Sequence, residues 1–146
     1  MSSIDFYVST AGTIFGAPTR CDSGIPILGI PMEDTVSFRP GTRFAPGVIR
    51  LWSQYFEFTP SIDLGIDILS RICDLGDVSL LQGLVERNVD RIRAVINEVL
   101  SKWGRVISIG GEHTLSLGSA KAVREYYGSY GIYVHVDAHL DSRQEW

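Results

Sequence analysis

Between Gln82 and Lys102, Val85, Val89, Ile92, Ile96 and Val99 recur at spacings of four, three, four and three, with charged residues opposite. That stripe specifies an amphipathic helix with one face to bury, and Trp103-Gly104 ends it. The flanking segments narrow the fold further. Ser70–Val78 before the helix and Arg105–Ile109 after it read as strands, the second running into Gly110-Gly111. Upstream, Ile25–Pro31 reads as a short buried strand, and Pro46 opens a helix through Val48, Ile49, Leu51, Trp52 and Tyr55. Downstream, Leu115 to about Tyr127 predicts a helix and Gly131–Asp137 a last strand. Strands alternating with helices mean βαβ units, so an α/β fold with a mainly parallel sheet is expected.

Composition excludes several classes. The 146 residues suit one domain, with 45% apolar and 21% charged residues, an ordinary globular balance. A net charge of −4 with no basic block disfavours a nucleic-acid surface or an anionic membrane footprint. No apolar run reaches the roughly 20 residues needed to cross a bilayer, and the N-terminus lacks a basic start and an apolar core. Cys21 and Cys73 are too few for a disulfide framework and are not spaced as a zinc motif. They are expected as ordinary buried thiols in a reduced, cytoplasmic protein.

Two stretches carry chemistry, and both fall at the carboxyl ends of expected strands, where open α/β sheets gather their ligands. In His-Val-Asp-Ala-His-Leu-Asp, residues 135–141, ionisable groups occupy every second position with apolar residues between. Neighbours on one strand face lie roughly 6.6 Å apart and can lean onto a pair of metal ions about 3.5–4 Å apart. Imidazoles and carboxylates without thiolate point to a borderline-hard ion such as Mn²⁺. A solvated strand end that happens to alternate is the competing reading. In Gly-Gly-Glu-His-Thr-Leu-Ser-Leu-Gly, residues 110–118, the glycines permit a tight turn from which His113 projects. Glu112 is ambiguous, because a Glu near a helix start is favoured by the helix dipole anyway.

A third stretch, Ser37 to Arg50, holds Arg39 and Arg43 in a Gly- and Pro-rich loop. It lacks a phosphate-binding Gly-Lys-Ser/Thr ending, and no Gly-x-Gly-x-x-Gly occurs anywhere in the chain. Residue chemistry alone favours a structural loop whose arginines bond backbone carbonyls.

Together, Gly-Gly-Glu-His-Thr-Leu-Ser-Leu-Gly and His-Val-Asp-Ala-His-Leu-Asp resemble the ureohydrolases, the arginase and agmatinase superfamily. The run from Gly29 to Arg50 and the His at position 135 look closer to the agmatinase branch. The resemblance covers nearly the whole chain from about Ile25. It implies a three-layer α/β/α arginase-like sandwich holding two Mn²⁺ ions. By similarity His113 binds the first ion, His139 the second, Asp137 bridges both and Asp141 binds the first. A hydroxide held between the ions would attack the guanidinium carbon, with agmatine giving putrescine and urea. No catalytic residue beyond the metal ligands is carried over, and His135 is not expected among those ligands. The complete family member is expected to be a homo-oligomer, trimeric or hexameric.

The chain also departs from the family pattern. A later Ser-x-Asp-x-Asp-x-x-Asp-Pro run, which brings two further Asp ligands, does not occur in it. Residues 1–146 are therefore expected to be the N-terminal part of a single ureohydrolase domain, cut after the Asp-Ala-His-x-Asp strand, with little activity alone. Another guanidino or formimino substrate (guanidinobutyrate, arginine, formimidoylglutamate) is the alternative within the class. A non-catalytic remnant, half of a split enzyme, or an unrelated metal-binding module are the alternatives outside it.

Overall fold

The computed structural model describes residues 2–9, 12–56, 67 and 69–141. In chain order it contains α1 (Ser3–Tyr7), β1 (Val8–Ser9), β2 (Ile25–Ile30), α2 (Ala45–Ser53), β3 (Ile72–Val78), α3 (Val85–Trp103), β4 (Ile107–Gly110) and α4 (Leu115–Tyr127). The four strands form one sheet in the order β1-β3-β2-β4. Strand β2 pairs parallel to β3 and to β4, while the two-residue β1 runs antiparallel to β3. The expected α/β architecture with a mainly parallel sheet is present.

Helix α3 buries the stripe read from its sequence. Val89, Ile92, Val95, Ile96, Val99 and Leu100 pack on Leu28, Ile30, Met32 and Val78 of the sheet side and on Ala122 of α4. A smaller cluster of Ile14, Ala17, Ile27 and Ile72 covers part of the sheet away from α3. Fully burying each aliphatic side chain contributes about 1.5–3 kcal/mol, so α3 anchors the fold. At its far end Glu98 accepts hydrogen bonds from the Ser2 hydroxyl (2.5 Å) and from the Ser3 and Ile4 amides (2.6 and 3.2 Å). One carboxylate of α3 thereby satisfies the open N-terminus of α1.

A bulge in β3 arranges the buried charge. Ile27 lies opposite Asp74 but Gly29 lies opposite Asp77, so β3 holds one residue more than its partner. Gly76 sits in that step at φ 98°, a conformation that favours glycine. In a regular strand residues three apart point to opposite faces. The extra residue restores them to one side, where both meet Arg50 of α2. Arg50, 1% exposed, donates from Nε and Nη2 to Asp74 (2.8 and 2.9 Å), from Nη1 to Asp77 (2.5 Å) and from Nη2 to the Gly76 carbonyl (3.1 Å). The expectation of arginines bonded to carbonyls thus holds for one bond of four at Arg50; carboxylates take the others.

Two expectations are corrected. Cys21 and Cys73 are joined in a disulfide with their Cα atoms 5.3 Å apart, inside the usual range of ~4.4–6.8 Å. The Asp74 amide donates to the Pro18 carbonyl (2.9 Å), and Trp103 Nε1 donates to the Cys21 carbonyl (2.9 Å). These bonds lay residues 18–21 along the start of β3, within reach of Cys73. Second, Gly131–Asp137 joins no strand of the sheet among the described residues. Ile132, Val134 and Val136 are 89%, 77% and 93% exposed. A strand with one apolar face needs a paired neighbour and a layer over that face, and among the described residues this segment has neither.

Candidate metal centre

The carboxyl ends of β2 and β4 lie side by side, with Ile30 opposite Gly110, and the two loops leaving them are laced together. Gly111 donates to the Ile30 carbonyl (3.1 Å) and Glu112 to the Met32 carbonyl (2.9 Å). A Cβ on Gly111 would sit 2.1 Å from the Met32 carbonyl oxygen, so only glycine allows this approach. The ambiguity over Glu112 is resolved by its contacts. Its buried carboxylate accepts from the Asp34 amide (3.0 Å), the Thr35 amide (2.8 and 3.0 Å) and the Thr35 hydroxyl (2.9 Å). Thr35 Oγ1 in turn lies 2.7 Å from Thr114 Oγ1.

Glu33 and Asp34 fix the rest of the first loop. Glu33 accepts from the Gly41 amide and the Thr42 hydroxyl and pairs with Arg43 Nε at 2.7 Å. The Gly41 amide holds its carboxyl below the usual range; burial opposes this, and Thr42 and Arg43 reinforce it. Asp34 accepts from the Gly83 amide (2.8 Å) and Asn88 Nδ2 (2.7 Å), tying the loop to α3. Reading the sequence singled out neither Glu33 nor Asp34; an acidic pair directly after a buried strand was the available signal.

Against this wall opens a concavity of about 1400 Å³. The first loop contributes residues 35–39 and Thr42. His113, Thr114 and the start of α4 form the floor, and Tyr133, His135 and His139–Asp141 form the far side. The cavity is polar at its chemical end and otherwise lined by Val36, Phe38, Leu117 and Leu140.

The four expected ligands reach this end of the sheet, but not equally. His113 Nδ1 and Asp141 Oδ2 are 2.8 Å apart. His135 completes a group of three whose donor atoms all lie within 4.8 Å of one another. His139 lines the cavity outside that group. Its amide donates to Asp137 Oδ1 (3.2 Å), bending the chain back just after the extended segment. That bond holds the Asp137 carboxyl below its ordinary value; burial opposes it, and the Ala138 amide, His135 and His113 add to it. Asp141 follows at φ 47°, so the alternation becomes a bend rather than one flat strand face.

The donor set fits a divalent cation. Two imidazoles and a carboxylate converge without a thiolate, the choice for a borderline ion. His135 Nε2 is a buried atom with no hydrogen-bond partner among the described residues, and Asp137 Oδ2 and Asp141 Oδ2 each lie 3.9 Å from it. A buried, unpaired polar atom beside carboxylates is costly unless something bridges them.

With this geometry stand the likenesses to known proteins. Residues 23–146 match the Arginase family model. An agmatinase of Bacillus anthracis is 35% identical over 130 residues, which are 88% of this chain and 44% of that protein. An N(1)-aminopropylagmatine ureohydrolase of Thermococcus kodakarensis is 33% identical, over 82% of this chain and 41% of that protein. The solved structure of proclavaminate amidino hydrolase from Streptomyces clavuligerus superposes with a TM-score of 0.71 at 25% identity, over 81% of this chain and 40% of that one. The chain spans less than half the length of these relatives.

Proposed function

This chain belongs to the arginase family, and from that premise we propose that it forms part of a manganese-dependent ureohydrolase of the agmatinase type, which hydrolyses agmatine to putrescine and urea. The observation that carries the reading is the meeting of His113, His135 and Asp141 at the head of one cavity. His113, Asp137, His139 and Asp141 are the residues that would hold the metal by family resemblance. A bound divalent cation supplies Lewis acidity and lowers the pKa of water near it.

The chain's own residues supply placement. Glu112 and Glu33 keep the 35–42 wall opposite His113, and the cavity of about 1400 Å³ beside it has room for a small guanidino compound. The apolar lining suits the methylene part of such a substrate, and the carboxylates suit a guanidinium. A cytoplasmic homo-oligomer, with residues 1–146 as the N-terminal part of one domain, belongs to the same proposal. The T. kodakarensis and S. clavuligerus relatives act on other guanidino compounds by their names, so a related substrate is the second reading.

A chimera tests the proposal. This sequence replaces the aligned portion of the B. anthracis agmatinase, and urea is assayed with Mn²⁺ and a panel of agmatine, guanidinobutyrate and arginine. Urea release that favours agmatine and is lost in Asp137→Asn is expected. A folded, manganese-loaded chimera that releases urea from none of the three contradicts it.

A further inference from the structure

Residues 14–21 cross the sheet as a strap on the side away from α3. Ile14 and Ala17 cover Ile27 of β2 and Ile72 of β3. The Ile14 amide donates to Asp74 Oδ2 and the Phe15 amide to Ser53 Oγ of α2, both at 2.8 Å. The Asp74 amide donates to the Pro18 carbonyl and Trp103 Nε1 to the Cys21 carbonyl, both at 2.9 Å. Against these bonds stands Phe15 at φ 51°, a left-handed conformation that a bulky side chain takes only when its surroundings enforce it. No residue of the strap belongs to a strand of the sheet or to the buried cluster around α3.

We infer that the Cys21–Cys73 disulfide is a redox latch on this strap. Oxidised, it holds residues 14–21 against the sheet; reduced, it lets them lift while the core around α3 stays folded. The release also reaches the buried charge cluster, because Asp74 Oδ2 accepts both from the strap and from Arg50 of α2. Lifting the strap opens Asp74 and Arg50, each 1% exposed, to water and uncovers Ile27 and Ile72. The latch thereby couples the state of two thiols to the anchoring of α2.

The two cysteines are unequally accessible. Cys73 is 0% exposed whereas Cys21 is partly exposed, so the thiolate of a small dithiol reaches Cys21 Sγ first. A bond forms there, the Cys21–Cys73 bond breaks, and Cys73 leaves as a thiolate that takes a proton. The dithiol's second thiolate then displaces Cys21 and closes into a cyclic disulfide. Two electrons and two protons pass to the protein, and a small-molecule disulfide takes them back on reoxidation. In reducing compartments, links of this kind are usually transient and redox-sensing.

Residue-by-residue amide hydrogen exchange of the purified chain, oxidised and after reduction with dithiothreitol, tests the latch without any turnover. Reduction should speed exchange at Ile14 and Phe15 at least tenfold. Ile92, Val95 and Ile96 of α3 should remain at least a hundredfold slower than those two. Reoxidation with oxidised glutathione should restore the first rates. Cys21→Ser should show the fast strap with or without dithiothreitol, and Cys21→Ala replaces it if circular dichroism shows the Ser form unfolded. Strap amides that stay within twofold on reduction overturn the inference, because other contacts then hold the strap. So does loss of strap and α3 protection at a single rate, which is global unfolding, or a chain whose two thiols do not pair under oxidised glutathione.

Discussion

Glu112 and Thr35, 77 positions apart in the chain, are joined by three hydrogen bonds to the Thr35 amide and hydroxyl, all between 2.8 and 3.0 Å. Through them the loop leaving β2 is fixed against the loop leaving β4, and the cavity acquires a wall. Glu112→Gln replaces one acceptor oxygen with an NH₂ facing backbone donors. A loss of about 1–3 kcal/mol is expected for leaving such groups unsatisfied. Hydrogen exchange should show it locally, with faster exchange at the Asp34 and Thr35 amides. Unchanged exchange at both would mean that the loop is held by other contacts.

Arg50 and the β3 bulge make a second buried anchor, with Asp74 taking both Nε and Nη2. Removing one member of such a pair leaves a charge without a partner in the interior, which costs roughly 3–5 kcal/mol. Asp74→Asn and Arg50→Met should each lower the urea midpoint strongly. The double variant should be less harmful than the sum of the two, because the singles share one broken interaction. Additive losses would contradict the pairing.

Acid should release α1 before the core. Burial pushes the Glu98 carboxyl up, but Lys102, the Ser2 hydroxyl and the Ile4 and Ser3 amides outweigh it and hold the group at about 2. The folded pKa lies below the unfolded one, so its contribution is full above about 4.5 and is lost as pH falls toward 2. The shift corresponds to about 3 kcal/mol as an upper bound, which solvent screening reduces. Stability measured from pH 5 down to 2 should fall less steeply in Glu98→Gln than in wild type. Parallel curves would remove Glu98 from the account.

The Cys21–Cys73 link closes a span of 52 residues, for which loop-entropy arguments give up to about 4 kcal/mol. Intact mass should be 2 Da lower without reductant than with it, and dithiothreitol should lower the melting temperature. A chain purified without reductant that titrates two free thiols contradicts the link.

Much of this was legible in the sequence, because periodicity reports burial. The Val85–Val99 stripe located α3, and the reading of a helix from Leu115 to about Tyr127 matches α4. His113 and Asp141 were identifiable from residue type and from their position after expected strands. What was hidden depends on long-range approach. The disulfide needs Pro18 and Trp103 to lay Cys21 beside β3. The Asp74–Arg50–Asp77 cluster needs a bulge that no local pattern announces. The last strand was overread because alternation specifies a face only where a neighbouring strand supplies the ladder. His135 is left out of the ligand set on the family resemblance alone. Its partners are drawn in by the bend at residues 137–141, which spacing alone does not reveal.

The cation centre is the claim on which the functional reading depends, and anomalous diffraction from crystals soaked in Mn²⁺ tests it most directly. The account predicts a manganese peak between His113 and Asp141, within bonding distance of both and facing His135. A well-ordered cavity with no peak there, or a peak bound only by residues elsewhere on the surface, would contradict it.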